Sequence, residues 1–402
     1  DDTQRVRAIA ILNALLGSWG RRGGFYRPAK YDVPSAKIPK YPESKKSWTD
    51  AFPGKYPIAS SPVSNALVDA SIPDNKPGFL IKGWIVNATN LVSSIPGQAN
   101  TLKAIQNLDL LVSVDTMPME ITGWADVVLP ECTYLERYDM LRISPHRKPA
   151  IALRMPAAEP MNSTRSGYNI ARGLALKLGL ESYFPFEKQE ELLDWQLKQV
   201  GSSLEEMQRI GVKTKARDAD DLYYAENENV AFPTDSGKIE LYSKAFEDAG
   251  FDPLPKYVAH EEPPEGFYRL IYGRAPMHTF GRTSNNPNLT DLMHENSVWI
   301  NPKVSKEWGL VNGQYIWLKN QDGIISDFPI KVRVTERIRW DSVYMVHGFG
   351  HKQKQLKRCF GKGASDTQLI TKVLVDPLMG GTGMRSNFVT FVTEKSEKEV
   401  AS

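Results

Sequence analysis

YRLIYGRAPMHTFGRTSNNP, residues 268–287, is the stretch on which the reading of this chain turns. Residues 268–272 are mostly apolar, β-branched or aromatic, which predicts a buried strand, and Gly273 ends it. Arg274, His278 and Arg282 then recur every fourth residue, with Thr279, Thr283, Ser284, Asn285 and Asn286 among them. One short segment thus presents two fixed cations and a dense set of donors. Guanidinium forks bind oxyanions bidentately, while amides and hydroxyls read ring nitrogens and carbonyls, so such a surface suits phosphates and heteroaromatic edges. A solvated loop with scattered charge has the same composition, and spacing alone does not separate the two.

Downstream of this segment, short apolar runs at 298–300, 314–318, 330–334, 343–346, 369–375 and 388–392 read as strands. Asn320 to Gly323 supplies a turn ending in Asp-Gly. Many short strands separated by turns imply a closed barrel. His347-Gly348-Phe349-Gly350-His351 follows one strand, and Gly380-Gly381-Thr382-Gly383 precedes another. Glycines there let backbone amides approach an anion, although an isolated glycine cluster is commonly just a turn.

Upstream, runs at 81–86, 108–114 and 125–129 end at Asn87, Asp115 and Pro130, with a helix predicted over 97–106. These are candidate parallel strands of a doubly wound sheet, at whose carboxyl ends Asn87, Thr89, Asn90, Asp115 and Thr116 would gather. A strand-terminal Asp accepts hydrogen bonds from ribose hydroxyls or a guanine amine; equally, such residues cap helices and turns. Val6, Ile9, Leu12 and Leu16 lie on one face of a helix predicted from residue 3, stopped by the glycines at 17–24. Residues 26–78 are rich in Pro, Lys and Tyr without a period and read as a long irregular excursion. Ser163 or Thr164 can cap a helix carrying Ile170, Leu174 and Leu178, and Ser203 to Glu206 is a capping box. The proline-rich segment 253–265 reads as a linker.

Composition bounds the function. The chain has 402 residues, 41 % hydrophobic and 24 % charged, which fits two or three globular domains. A net charge of +3 gives no electrostatic footprint for nucleic acid. The two cysteines, Cys132 and Cys359, are far apart, too few for a zinc or iron-sulfur site built by this chain alone. Cys132 reads as a buried structural thiol. No apolar run approaches the ~20 residues of a membrane helix. The first residue is Asp1, and the reading expects a trimmed chain or part of something larger.

Several segments carry a resemblance. VSVDTMPMEITGWADVVLPECTYLE at 112–136, ALLGSWGRRGG at 14–24, TDSGKIEL at 234–241, SVWINPKVSKEWGL at 297–310 and DPLMGGTGMRSNFV at 376–389 resemble motifs of the molybdopterin oxidoreductase superfamily, dimethyl sulfoxide reductase type. FGRTSNNP at 280–287 and the 376–389 tail are most similar to polysulfide and thiosulfate reductase catalytic subunits. Met117 and the run Met119-Glu120-Ile121-Thr122 depart from the family's Phe and Thr-Glu-Thr-Ala.

The resemblance implies a Rossmann-like α/β domain over 1–262, with the irregular insertion 26–78, followed by a six-stranded double-psi β-barrel over 263–402 that binds the dinucleotide. It implies bis-molybdopterin guanine dinucleotide with molybdenum or tungsten. The cofactor contacts implied are Asn87, Asn90, Asp115, Thr116, Arg274, His278, Thr279, Arg282, Thr283, Asn285, His347, Gly348, Thr382 and Asn387. The metal ligand would lie outside this chain, as would any iron-sulfur cluster, and no catalytic residue is assigned. The partners implied are the N-terminal half of the same subunit, an iron-sulfur electron-transfer subunit and a quinone-binding membrane subunit, at the extracytoplasmic (periplasmic) face of the membrane. The expected reaction is reduction or oxidation of a sulfur compound. The alternative is a cofactor-less superfamily member acting as scaffold in a membrane quinone oxidoreductase complex of the alternative complex III type.

Overall fold

A computed structural model of the chain describes residues 2–61 and 63–394. Packing divides it into two compact units. One comprises Asp1–Thr3, Lys46–Val128 and Lys256–Ser402, the other Gln4–Lys45 and Leu129–Pro255. The single division expected between residues 262 and 263 is therefore not the one seen: a crossing falls at Pro255 and Lys256, but residues 46–128 group with the barrel. The physical reason lies in backbone bonds such as Gly97 N to Ile370 O at 2.9 Å and Ile58 N to Leu378 O at 3.1 Å.

In the first unit, β1 (Gly83–Asn87) and β2 (Leu110–Asp115) pair in parallel, Gly83 opposite Leu110, and β3 (Val127–Pro130) completes a three-stranded sheet in the order β1-β2-β3. The ladder starts later than the apolar runs suggest because the Lys82 carbonyl receives the amides of Asp109 and Leu110 in the entry turn. On one face Val86 and Leu111 are buried, and Ile105 of the helix Gln98–Gln106 packs with both. On the other face Ile85 and Leu110 are exposed, while Val114 nearer the carboxyl end is buried. Parallel sheets are ordinarily covered on both faces, so the amino-terminal part of this face is unusually bare.

In the second unit, β4 (Arg142–Ser144), β5 (Ala150–Ala152) and β6 (Val212–Thr214) form an antiparallel sheet. Ile151 packs on Leu193, Leu197 and Met207 from the helices Gln189–Gln199 and Leu204–Ile210. Ser203 caps the latter by accepting from the Glu206 amide at 3.0 Å. The helix expected after Ser163 or Thr164 begins at Gly167 and is capped instead by Ser166, which accepts from Asn169 N. At 234–241 the turn forms, with Gly237 N donating to Thr234 O, and no strand follows. The N-terminal helix spans Asp2–Leu15, but its expected apolar stripe faces outward: Val6, Ile9, Leu12 and Leu16 are 59–79 % exposed.

The barrel is built from β7 (Tyr268–Gly273), β8 (Ser297–Ile300), β9 (Tyr315–Asn320), β10 (Ile330–Val334), β11 (Ser342–Val346) and, after a small antiparallel ribbon of β12 (Leu374–Val375) and β13 (Thr382–Gly383), β14 (Phe388–Val392). The six strands close in the order β10-β8-β11-β7-β14-β9, with β10/β8 and β11/β7 parallel. Alternate residues point inward, so Leu270, Val298, Ile300, Ile316, Leu318, Ile330, Val343, Met345 and Val389 are fully buried. Residues 369–375 do not form the expected barrel strand. Asp366–Leu369 is one helical turn, and the amides of Thr371 and Lys372 donate to the side chain of Asn387 instead of a ladder.

Candidate functional site

The parallel pairing of β7 and β11 aligns their carboxyl ends, Gly273 opposite Val346, so the segments that follow them leave the barrel side by side. His347 leaves β11 with its Nδ1 2.8–2.9 Å from both carboxylate oxygens of the buried Asp366. Burial alone would lower the imidazole's pKa, but the hydrogen bond and charge of Asp366 raise it above its ordinary value, against a smaller opposing push from Arg274. Rings and cations alternate across this end of the barrel. The Arg274 guanidinium lies 4.3 Å over the Phe280 ring, which meets His347 edge-on at 5.6 Å. His347 lies 6.1 Å from Tyr272, and Arg385 sits 5.8 Å over Tyr272. Phe280 holds this place with φ +53°, a left-handed conformation costly for an aromatic residue and retained where the surroundings fix it.

Arg282 is exposed and its charge reaches Asp115 at the end of β2. Burial raises the Asp115 carboxyl, while bonds from the Thr116 and Met117 amides and the field of Arg282 hold it back. Thr116, Thr279 and Asn87 are exposed. Among the described residues, none of Arg274, Arg282 and Arg385 has a carboxylate within ion-pair distance. These residues form the open part of the site.

Other candidates are spent inside the protein. His278 is buried, with Nε2 2.7 Å from Met293 O and Nδ1 3.2 Å from Thr283 Oγ1. Thr283 Oγ1 also takes the Thr279 amide, so both side chains are committed to shaping their own turn. Asn90 donates to Glu120 and accepts from Ile121 N; Asn285 Oδ1 accepts from Arg358 N at 3.0 Å. Gly348 is needed for close packing: a Cβ there would lie 2.4 Å from Gly281 N. Thr382 donates to Asn65 at 2.9 Å. Asn387, with no exposure, accepts from Thr371 N, Lys372 N and Gln321 Nε2 and donates to Lys372 O and Met384 O. Its amide thus ties the 371–372 segment to the start of β14 from within.

Sequence reasoning did not single out Phe280, Asp366, Arg385, Glu120 or His351. The two histidines of His347-Gly348-Phe349-Gly350-His351 were the available signal, since each meets a buried carboxylate: Asp366 for the first, Glu120 for the second. Among the described residues no group of three or more His, Cys, Asp or Glu is placed to hold a metal ion, and no helix is long and apolar enough to cross a membrane.

Comparison with known proteins finds family matches over both parts of the chain. Residues 4–177 match the family described as molybdopterin oxidoreductase, and residues 268–387 match the molydopterin dinucleotide binding domain. The thiosulfate reductase molybdopterin-containing subunit PhsA of Salmonella typhimurium is 30 % identical, over 86 % of this chain and 50 % of that protein. Acetylene hydratase of Syntrophotalea acetylenica is 27 % identical over 79 % of this chain and 48 % of its own length. The dimethyl sulfoxide reductase DmsA of Escherichia coli is 26 % identical over 96 % and 51 %. The solved acetylene hydratase from Pelobacter acetylenicus shares the fold, with a TM-score of 0.67 at 23 % identity, over 86 % of this chain and 50 % of that one. The chain spans about half the length of the curated relatives it matches. With a closed six-stranded barrel beneath a surface of unpaired cations and rings, and with both family matches falling on the corresponding segments, the chain belongs to the molybdopterin oxidoreductase family.

Proposed function

We propose that this chain is the cofactor-holding C-terminal half of a catalytic subunit that oxidises or reduces a sulfur compound with bis-molybdopterin guanine dinucleotide. The observation that carries this reading is the alternation of Arg274, Phe280, His347, Tyr272 and Arg385 across the end of the barrel. Guanidinium groups without carboxylate partners suit phosphate oxygens, and ring faces suit a planar pterin, so the donor set fits the dinucleotide. When bound, the cofactor would supply the redox chemistry at its molybdenum or tungsten. The chain's own residues bind and orient it. Arg274 and Arg282 would neutralise phosphate charge, and the exposed Thr279 and Thr116 hydroxyls would add donors. Asp115 would accept from a guanine N–H, and His347, fixed by Asp366, would present its Nε2 side. The thiosulfate and dimethyl sulfoxide relatives support a sulfur substrate. By the same likeness we place the metal ligand and the iron-sulfur cluster outside this chain. Electrons would pass through an iron-sulfur subunit to a quinone-binding membrane subunit on the extracytoplasmic face. The bare sheet face and the outward stripe of the N-terminal helix suit packing against the remaining half of the subunit.

The test is metal and pterin analysis of the intact native assembly. Molybdenum or tungsten together with guanine-bearing pterin is the expected result; absence of both from an active complex overturns the proposal in favour of a scaffold. Arg274→Ala should lower cofactor retention at least about tenfold, the scale of one lost charge-assisted hydrogen bond.

A further inference from the structure

We propose that Glu120, His351 and Ser284 act as positioning residues for the 274–285 loop, joined in one charged relay in which His351 carries a proton on both ring nitrogens. The role given to that loop rests on the cofactor reading above; the relay itself does not. Ser284 Oγ lies 2.7 Å from Gly281 O, an acceptor only, and its other partner is the Cys359 sulfur, so the single hydroxyl proton points away from the ring. His351 Nε2 lies 2.9 Å from the same Oγ, and that contact is a hydrogen bond only if Nε2–H donates. His351 Nδ1 lies 3.0 Å and 3.2 Å from the two oxygens of Glu120. Burial would raise the Glu120 carboxyl, but His351, its own backbone amide and Asn90 bring it down to about 2, so it is a carboxylate and Nδ1–H donates as well. The nearby Cys359 thiol is pushed up to about 11 by burial and stays neutral. Lys352 is paired with Asp327, which leaves Glu120 as the counter-ion of His351.

The relay runs from one structural element to another. Glu120 opens the 3-10 turn Glu120–Gly123 beyond β2 and also receives the amides of Lys352 and Gln353 at 2.9 Å and 3.4 Å. Through His351 and Ser284 it fixes the Gly281 carbonyl, next to the left-handed Phe280 on which Arg274 rests. His351 is 3 % exposed and Ser284 is fully buried, so water does not compete for these bonds. His278 in the same loop is the contrast. Thr283 accepts the Thr279 amide and is free to donate to His278 Nδ1, so that ring is satisfied when neutral.

The experiment is nitrogen-15 NMR of the full chain, with amide hydrogen exchange and titration with guanosine diphosphate, in the wild type and in Ser284→Ala. Two protected ring N–H signals from His351 are expected in the wild type. In Ser284→Ala the Nε2–H protection should be lost and the Nδ1–H retained. Exchange of the 279–284 amides should quicken about tenfold or more, and guanosine diphosphate should bind several-fold more weakly. Glu120→Gln, which keeps the shape, should leave His351 with one ring proton. A single ring N–H in the wild type, or unchanged exchange in Ser284→Ala, overturns the relay. An intact relay signature in a wild type that does not bind guanosine diphosphate sinks the cofactor reading and leaves the relay standing as the device that holds the loop.

Discussion

Two residues carry more of the site's architecture than their types announce. Glu120 has its folded pKa depressed to about 2, so its stabilisation is fully present above its ordinary carboxylate value and is lost as pH falls toward 2. The shift corresponds to on the order of 3 kcal/mol. Urea unfolding between pH 6 and pH 2 should show the decline, and Glu120→Gln should flatten it. His347 works in the opposite sense: its raised pKa contributes stability that is present below about 6.5 and fades as pH rises through the folded value. Asp366→Asn should remove that dependence, read from the His347 ring titration. Asn387→Ala would remove the acceptor of the partly buried Thr371 and Lys372 amides, and a loss of about 1–3 kcal/mol in urea unfolding is expected. At this scale the sequence is legible for exposed cations such as Arg274 and Arg282, whose spacing is visible in the chain. It is illegible for His278, Thr283 and Asn387. Their partners are backbone groups such as Met293 O and Lys372 N, which any residue type supplies, so composition leaves no trace of the pairing.

Elements follow the same logic. Strands at 83–87, 110–115 and 330–334 could be read because β-branched and apolar side chains both signal the strand and fill the core that stabilises it. The run at 369–375 has the same texture, yet its amides find a side-chain carbonyl, and pairing partners are a property of the closed barrel. The N-terminal helix has the expected period, and its apolar side is bare because periodicity reports a face without reporting what covers it. The approach of the two loops above β7 and β11 makes its own prediction. Gly348 has φ +90° and a Cβ there would meet Gly281 N at 2.4 Å. Gly348→Ala should therefore cost about 2 kcal/mol or more and raise amide exchange across 279–284, because the obstacle is backbone that cannot rotate away.

Over the whole molecule, the outward Val6, Ile9, Leu12 and Leu16 predict that the chain on its own binds hydrophobic dye and self-associates. Leu12→Lys should reduce both, measured by dye fluorescence and light scattering, while changing the unfolding midpoint by less than about 0.5 kcal/mol equivalent. The composition made a multi-domain globular chain legible, and the proline-rich segment near residue 255 marked one real crossing. The crossings after residues 3 and 128 carry no linker composition, and the one after residue 45 lies within the Pro- and Lys-rich run 26–78, which marks no single point. That interleaving bears on how the protein is made. A ribosome releasing the chain from its amino end has delivered every residue of the unit made of Gln4–Lys45 and Leu129–Pro255 once residue 255 is clear. The other unit must wait with residues 46–128 already outside, because β14 bonds to both β7 and β9 and is the piece that shuts the barrel. While residues from 256 to β14 are being translated, the apolar strands of the barrel lack the piece that closes them, and that is the interval in which a chaperone would matter most.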